Sequence, residues 1–195
     1  LPCIAEKVVI VVEKVARKLM DSFKNENVYI LNDEEARVIT EKIIIDGAIN
    51  KELVGKDAGY ILKQIKVEPI SDVRLLIMPT DKNHPLVHIE QLMPVLPVVT
   101  VSDVDEAIDL AVKCEQGNRH TAVMHSKNVD NMTKYARAIE TTIFVKNGPS
   151  YAGIGMGGEG CTTFTIAGPT GEGLTSAKTF TRQRRCTLVD GFRIV

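Results

Sequence analysis

The side chains best suited to nucleophilic or metal chemistry in this chain of 195 residues are four cysteines and four histidines. The cysteines are Cys3, Cys114, Cys161 and Cys186, far apart and without a Cys-x-x-Cys pair. That spacing and low density argue against a disulfide scaffold and for a reducing compartment. His84/His88 and His120/His125 could face a metal, but no second cluster at zinc-finger spacing accompanies them, and there is no His-Glu-x-x-His. Nucleophilic thiol chemistry remains. A cysteine attacks as its thiolate and needs a site that exposes and orients it. Cys3 stands in "LPCIAEK", just ahead of the β-branched run Val8–Val12. That places it on a loop at a sheet edge, where reactive groups are often presented. By residue type alone, an inert small apolar side chain is the better account of Cys3.

A second candidate motif fails on its context. "GIGMGGEG" holds Gly-x-Gly-x-x-Gly twice, at Gly153/Gly155/Gly158 and at Gly155/Gly157/Gly160. A dinucleotide site needs such a loop to leave a strand directly and open a helix, with an acidic residue about 20 positions on. Here "CTTFTIAGPTG" follows, which is β-prone and has no helical stripe, and the acidic position falls on Ser176–Phe180. "GPTGEGLTS" has no lysine before its Thr-Ser and is no phosphate loop. The glycines are expected to let a loop fold tightly against its surroundings.

The elements that must position Cys3 alternate between strand and helix. Strands are predicted at Val8–Val12, Val28–Leu31, Arg74–Met78, Val95–Val101, Thr121–His125 and Thr142–Lys146. Helical spacing links Val12, Val15, Ala16, Leu19 and Phe23, and again Ala36, Ile39 and Ile43 behind an Asn32/Asp33 cap. Asp46–Lys66 reads as loop plus a short helix at Ala58–Ile65, and Asp81–Pro85 as a turn. Ser102 is expected to cap a helix with Asp105 three residues on, lined by Val104, Ala107, Ile108, Ala111 and Val112. Met132, Tyr135, Ala136 and Ile139 mark another helix, and Ser176–Val189 a last extended segment. Repeated strand–helix–strand units imply an α/β fold, a three-layer domain with a mostly parallel sheet and helices on both faces.

Composition limits the partners. The hydrophobic share of 44% supports one buried core, and the net charge of −1 argues against nucleic acid or an anionic membrane. The one dense basic run, Arg182, Arg184 and Arg185, is a small patch. No run of 18 apolar residues occurs, and no signal peptide is recognisable.

"LPCIAEK" resembles the active-site cysteine segment of the CoA-acylating aldehyde dehydrogenases, the branch of the superfamily acting on propionaldehyde and acetaldehyde in propanediol and ethanolamine breakdown. "HIEQLMPVLPVVTVSDVDEAIDLA" is similar to the glutamate-bearing strand and following helix of that superfamily. "EQGNRHTAVMHS", "GPTGEGLTSAKTFTR" and "RRCTLVDGF" resemble further segments of the branch, in the right order along the whole chain. Leu92-Met93-Pro94 departs from the wider superfamily but is usual in this branch.

The resemblance implies that residues 1–195 are the cysteine-bearing catalytic domain of such an enzyme. Its nicotinamide-binding Rossmann domain is expected upstream, outside this chain, and the isolated piece is expected to be inactive. Cys3 is then the catalytic nucleophile, with its backbone N–H in an oxyanion hole. Glu90 binds the nicotinamide ribose. Pro169, Thr170 and Gly171 line the acyl or CoA entrance. The cofactor is NAD, with coenzyme A as co-substrate and a short aldehyde as substrate. The partner is a further copy of the chain in a homo-oligomer, and the location is the cytoplasm or a bacterial microcompartment. Outside the resemblance, a surface carboxylate at a strand start is the better account of Glu90. Two alternatives stay open: a hydrolytic aldehyde dehydrogenase releasing a free acid, and a non-enzymatic α/β interaction module.

Overall fold

The computed structural model describes residues 1–69, 72–158, 162–167 and 173–189. In chain order β1 is Val9–Val12, α1 Glu13–Phe23, β2 Val28–Ile30 and α2 Asp33–Ile43. Then come β3 (Ile44–Ile45), β4 (Ala48–Ile49), α3 (Ala58–Lys63), β5 (Leu75–Thr80), α4 (Pro85–His88) and β6 (Val95–Val101). The remainder runs α5 (Val104–Glu115), β7 (Thr121–Met124), α6 (Val129–Ile139), β8 (Ile143–Lys146), a 3-10 turn at Ser150–Ile154, β9 (Ile166–Ala167), β10 (Gly173–Leu174) and a 3-10 turn at Ala177–Phe180.

Four strands form one parallel sheet in the order β1-β6-β5-β2. Parallel neighbours require crossover connections, and the helices supply them. Strand side chains alternate between faces, so each strand feeds two cores. Val11, Ile77, Leu96 and Val98 pack on one face with Ala16, Leu19, Met20 and Phe23 of α1. On the other face Leu76, Met78 and Val95 meet Ile39 and Ile43 of α2 and Ile61 and Leu62 of α3. Val99 and Val101 meet Ala107, Leu110 and Cys114 of α5 on that same side. Helices thus cover both faces, as the sequence predicts. Each fully buried Leu or Ile contributes roughly 1.5–3 kcal/mol by leaving water. A second parallel pair, β7 with β8, is joined through α6.

Helix caps follow local chemistry. The Asn32 side chain accepts the Glu35 N–H at 2.9 Å, and Glu35 accepts the Asn32 N–H at 2.9 Å. At α5 the cap is Asp103, not the expected Ser102. The Asp103 carboxylate accepts the Glu106 N–H at 2.9 Å, and Ser102 donates both its N–H and its hydroxyl to Glu106. An anionic cap gains from the helix dipole as well as from the hydrogen bond, so the frame moves one residue along.

Two more expectations change. At the start of Asp46–Lys66, in the part read as loop, β4 pairs back on β3 in a hairpin around Asp46 and Gly47, both at positive φ (52° and 77°). The tail is not an extended strand. After the 3-10 turn at Ala177–Phe180, residues 181–189 are exposed and carry no regular element. A strand needs a neighbour for its N–H and C=O groups, and no described residue supplies one. Among the described residues no helix is long and apolar enough to cross a membrane.

Candidate active site

The segment around Cys3 is short, but a local turn and three anchoring residues fix it. The Ala5 N–H donates to the Pro2 carbonyl at 3.0 Å, which turns the chain at Cys3 and Ile4. Ile4 is buried among Ile143, Val145 and Ile154, which come from β8 and the following 3-10 turn. The Glu6 carboxylate accepts the Ser150 N–H at 2.9 Å. Lys7 Nζ donates to the carbonyls of His88 at 3.2 Å and Cys114 at 2.6 Å. Between these anchors Cys3 itself is exposed. A small side chain held out by a fixed loop is what a positioned nucleophile requires.

The other thiols sit differently. Cys114 is buried in α5, and burial pushes its thiol pKa up, against an opposing pull from Lys7. Cys186 lies on the exposed tail. Cys161 lies outside the described residues.

Glu90 lies at the same end of the sheet. β1 and β6 are parallel neighbours with Val9 opposite Val98, so the loops leading into them share one end. Cys3 is on the first loop and Glu90 on the second. Glu90 is exposed, with no ion pair or side-chain hydrogen bond among the described residues. Its neighbours hold the loop. Gln91 is buried and donates to the Leu86 carbonyl at 3.3 Å, Met93 is buried at the core, and the Gly55 N–H reaches the Leu92 carbonyl at 3.2 Å. Leu92 takes φ 49°, a left-handed conformation costly for a branched residue. Among the described residues, both oxygens of Glu90 are left to accept from a ligand.

The other candidates divide. Pro169, Thr170 and Gly171 lie outside the described residues. His120 opens β7. Its N–H donates to Glu115 at 2.9 Å, and its ring nitrogen lies 2.7 Å from the Thr121 hydroxyl.

At Gly153 and Gly155 the glycine-rich run is packing. Gly153 belongs to a 3-10 turn rather than to a strand end, and no helix opens after Gly158 among the described residues. A Cβ on Gly153 would lie 2.2 Å from Ile143 Cγ2. Gly155 has φ +94°, and a Cβ there would lie 2.9 Å from Thr162 Cα. Gly153→Ala is therefore expected to lose about 1–3 kcal/mol through overpacking. Gly59, inside α3, would meet only Pro69 at 3.7 Å, and Gly59→Ala is expected to gain up to about 1 kcal/mol. Denaturant midpoints check both, and equal shifts would contradict the packing account.

Lys7 escaped the sequence reading. Its partners lie 81 and 107 residues away, so no local pattern announces it.

A family model described as "Aldehyde dehydrogenase family" matches residues 73–177, which is more than half of the chain. The chain belongs to the aldehyde dehydrogenase family. It is 53% identical over its full length to a propanal dehydrogenase (CoA-propanoylating) of Citrobacter freundii, of which it covers 42%. It is 51% identical over 99% of its length to the acetaldehyde dehydrogenase (acetylating) EutE of Salmonella typhimurium, covering 43% of that protein. The aldehyde dehydrogenase likeness extends to three dimensions. A propionaldehyde dehydrogenase from the Clostridium phytofermentans fucose utilisation bacterial microcompartment superposes with a TM-score of 0.90 at 47% identity, covering 98% of this chain and 44% of that one. The Rhodopseudomonas palustris propionaldehyde dehydrogenase, solved with bound CoA and an acylated cysteine, gives 0.90 at 47% identity, with 96% of this chain and 43% of that one covered. The chain spans about two fifths of the length of the curated relatives it matches most fully.

Proposed function

We propose that this chain is the catalytic domain of a CoA-acylating aldehyde dehydrogenase. It works with a nicotinamide-binding domain to oxidise a short-chain aldehyde to an acyl-CoA through a thioester on Cys3. The observation that carries this reading is the exposed Cys3 thiol on a loop pinned at Ile4, Glu6 and Lys7, beside the loop of Glu90. The named activities of the relatives support it.

In this mechanism the Cys3 thiolate adds to the aldehyde carbonyl and forms a thiohemiacetal. The Cys3 backbone N–H faces the developing oxyanion. NAD+, when bound, supplies a hydride acceptor. The residues fit that cofactor at one point: the free, exposed Glu90 carboxylate can accept from two neighbouring ribose hydroxyls and so fix the nicotinamide near the thiol. Cys3 then carries the acyl group as a thioester. The coenzyme A thiolate attacks the acyl carbon and expels Cys3, and one thioester replaces another. A thiolate is intrinsically a strong nucleophile, so this exchange asks less of the protein than attack by water. Hydrolysis would need an activated water. Glu6, the carboxylate nearest Cys3 in sequence, is engaged with the Ser150 N–H. That favours transfer to coenzyme A over release of an acid.

The same reading places the enzyme in the cytoplasm or in a bacterial microcompartment and makes it a homo-oligomer. The exposed apolar side chains Phe164, Phe180, Leu188 and Val189 offer surface for pairing between copies.

The test uses the full-length protein with propionaldehyde and NAD+ but no coenzyme A. Mass spectrometry should find the propionyl mass on the peptide holding Cys3, and adding coenzyme A should discharge it as propionyl-CoA. Free acid formed equally fast without coenzyme A would favour the hydrolytic alternative. No acylated peptide at all would favour the interaction module.

A further inference from the structure

The geometry points to Lys7 as the positioning residue that holds the Cys3 loop and the Glu90 loop in register, an inference that rests on the function proposed above. Lys7 follows Cys3 by four residues and is half-buried. Its ammonium donates to the Cys114 carbonyl at 2.6 Å and to the His88 carbonyl at 3.2 Å. The first carbonyl is in the last turn of α5, and the second ends α4, two residues before Glu90. Helix C-terminal carbonyls lack partners within their helix and carry partial negative charge. One cation on two such ends joins three segments that are remote in sequence. Gln116 Nε2 donates to the same His88 carbonyl at 2.7 Å, so that carbonyl is gripped from two sides.

The charge on Lys7 is itself balanced. Burial lowers its pKa, while Cys114, Glu90 and Glu115 act to raise it. Glu90 is therefore within electrostatic reach of the cation that anchors the Cys3 segment. A neutral side chain of the same length would fill the space but leave the Cys114 carbonyl without its Lys7 donor and the His88 carbonyl held by Gln116 alone, and the exit of α4 could then move relative to β1. Ile4 and Glu6 still hold the Cys3 segment, so the expected defect is in cofactor placement, not in the thiol.

The test uses the full-length protein and alkylation of Cys3 by iodoacetamide. NAD+ should protect wild-type Cys3. In Lys7→Met, the alkylation rate without NAD+ should stay within about twofold of wild type. The NAD+ concentration for half-protection, and KM for NAD+, should rise about tenfold, the scale of one charged hydrogen bond. Gln116→Leu, at an exposed position, should raise both about twofold to threefold. In a Glu90→Gln background Lys7→Met should add little, since Lys7 would act on NAD+ through the placement of Glu90. Half-protection within twofold of wild type in Lys7→Met overturns the inference, whatever happens to thermal stability. Should Lys7→Met not fold, unchanged half-protection in Gln116→Leu overturns it instead. If wild-type Cys3 is neither protected by NAD+ nor acylated, the proposed function fails and this inference with it. If it is both and the variants match it, this inference alone fails.

Discussion

Cys3→Ala in the full-length protein should lower acyl-CoA formation by at least about 10,000-fold, the scale on which loss of a covalent nucleophile is felt. The fold leaves no substitute among the described thiols. Cys114 is buried in α5 and its thiol is pushed up in pKa by burial. Cys186 is exposed, but on the tail that follows the last 3-10 turn. Cys186→Ser should accordingly keep activity within about twofold, as surface substitutions usually do. Coupled measurement of NADH and acyl-CoA checks both variants. Activity within tenfold of wild type in Cys3→Ala would sink the proposed function.

Ile4→Ala should cost about 2–5 kcal/mol, the range for truncating a buried isoleucine. Ile4 is 3% exposed and packs on Ile143, Val145 and Ile154. It is also the neighbour of Cys3 and the main apolar anchor of its loop. The loss of stability should therefore come with a fall in kcat/KM, because a loosened loop no longer fixes the thiol. Ile4→Val removes one methylene and should cost only about 0.5–1.5 kcal/mol. Chemical denaturation measures both. An Ile4→Ala midpoint equal to wild type would show that the loop is held by Glu6 and Lys7 alone.

The contrast between Ile4 and Lys7 marks what a single sequence can disclose. Strands such as Val95–Val101 and the α1 stripe were legible because apolar period maps directly onto buried faces. The Asn32 cap was legible because its partner Glu35 is three residues away. The α5 cap was placed one residue early, since Ser102 and Asp103 are both good caps and the choice depends on Glu106 reaching back. The β3–β4 hairpin had a signal that went unused, Asp46-Gly47 between apolar residues, which suits two consecutive positive φ values. α4 too had one, a proline at its first position behind the His84 cap. The roles assigned to Cys3 and Glu90 came from resemblance rather than from pattern. Nothing local could have placed their loops at one end of the sheet, or shown Lys7 between them, because those facts depend on contacts across most of the chain. Pro169, Thr170 and Gly171 fall outside the described residues.

The bond from Ser150 to Glu6 closes a loop with 144 residues between its ends. Ribosomes add about 5–20 residues per second, so some 7–30 s separate the emergence of Cys3 from that of the segment that pins its loop. Closing so long a loop is also entropically costly and belongs late in folding. The nascent thiol is thus made well before the segment that orients it. Until β8 and the turn at Ser150 arrive, Cys3 is an ordinary cysteine on an unanchored strand entrance. Its chemistry then begins with completion of the fold rather than with synthesis of the residue.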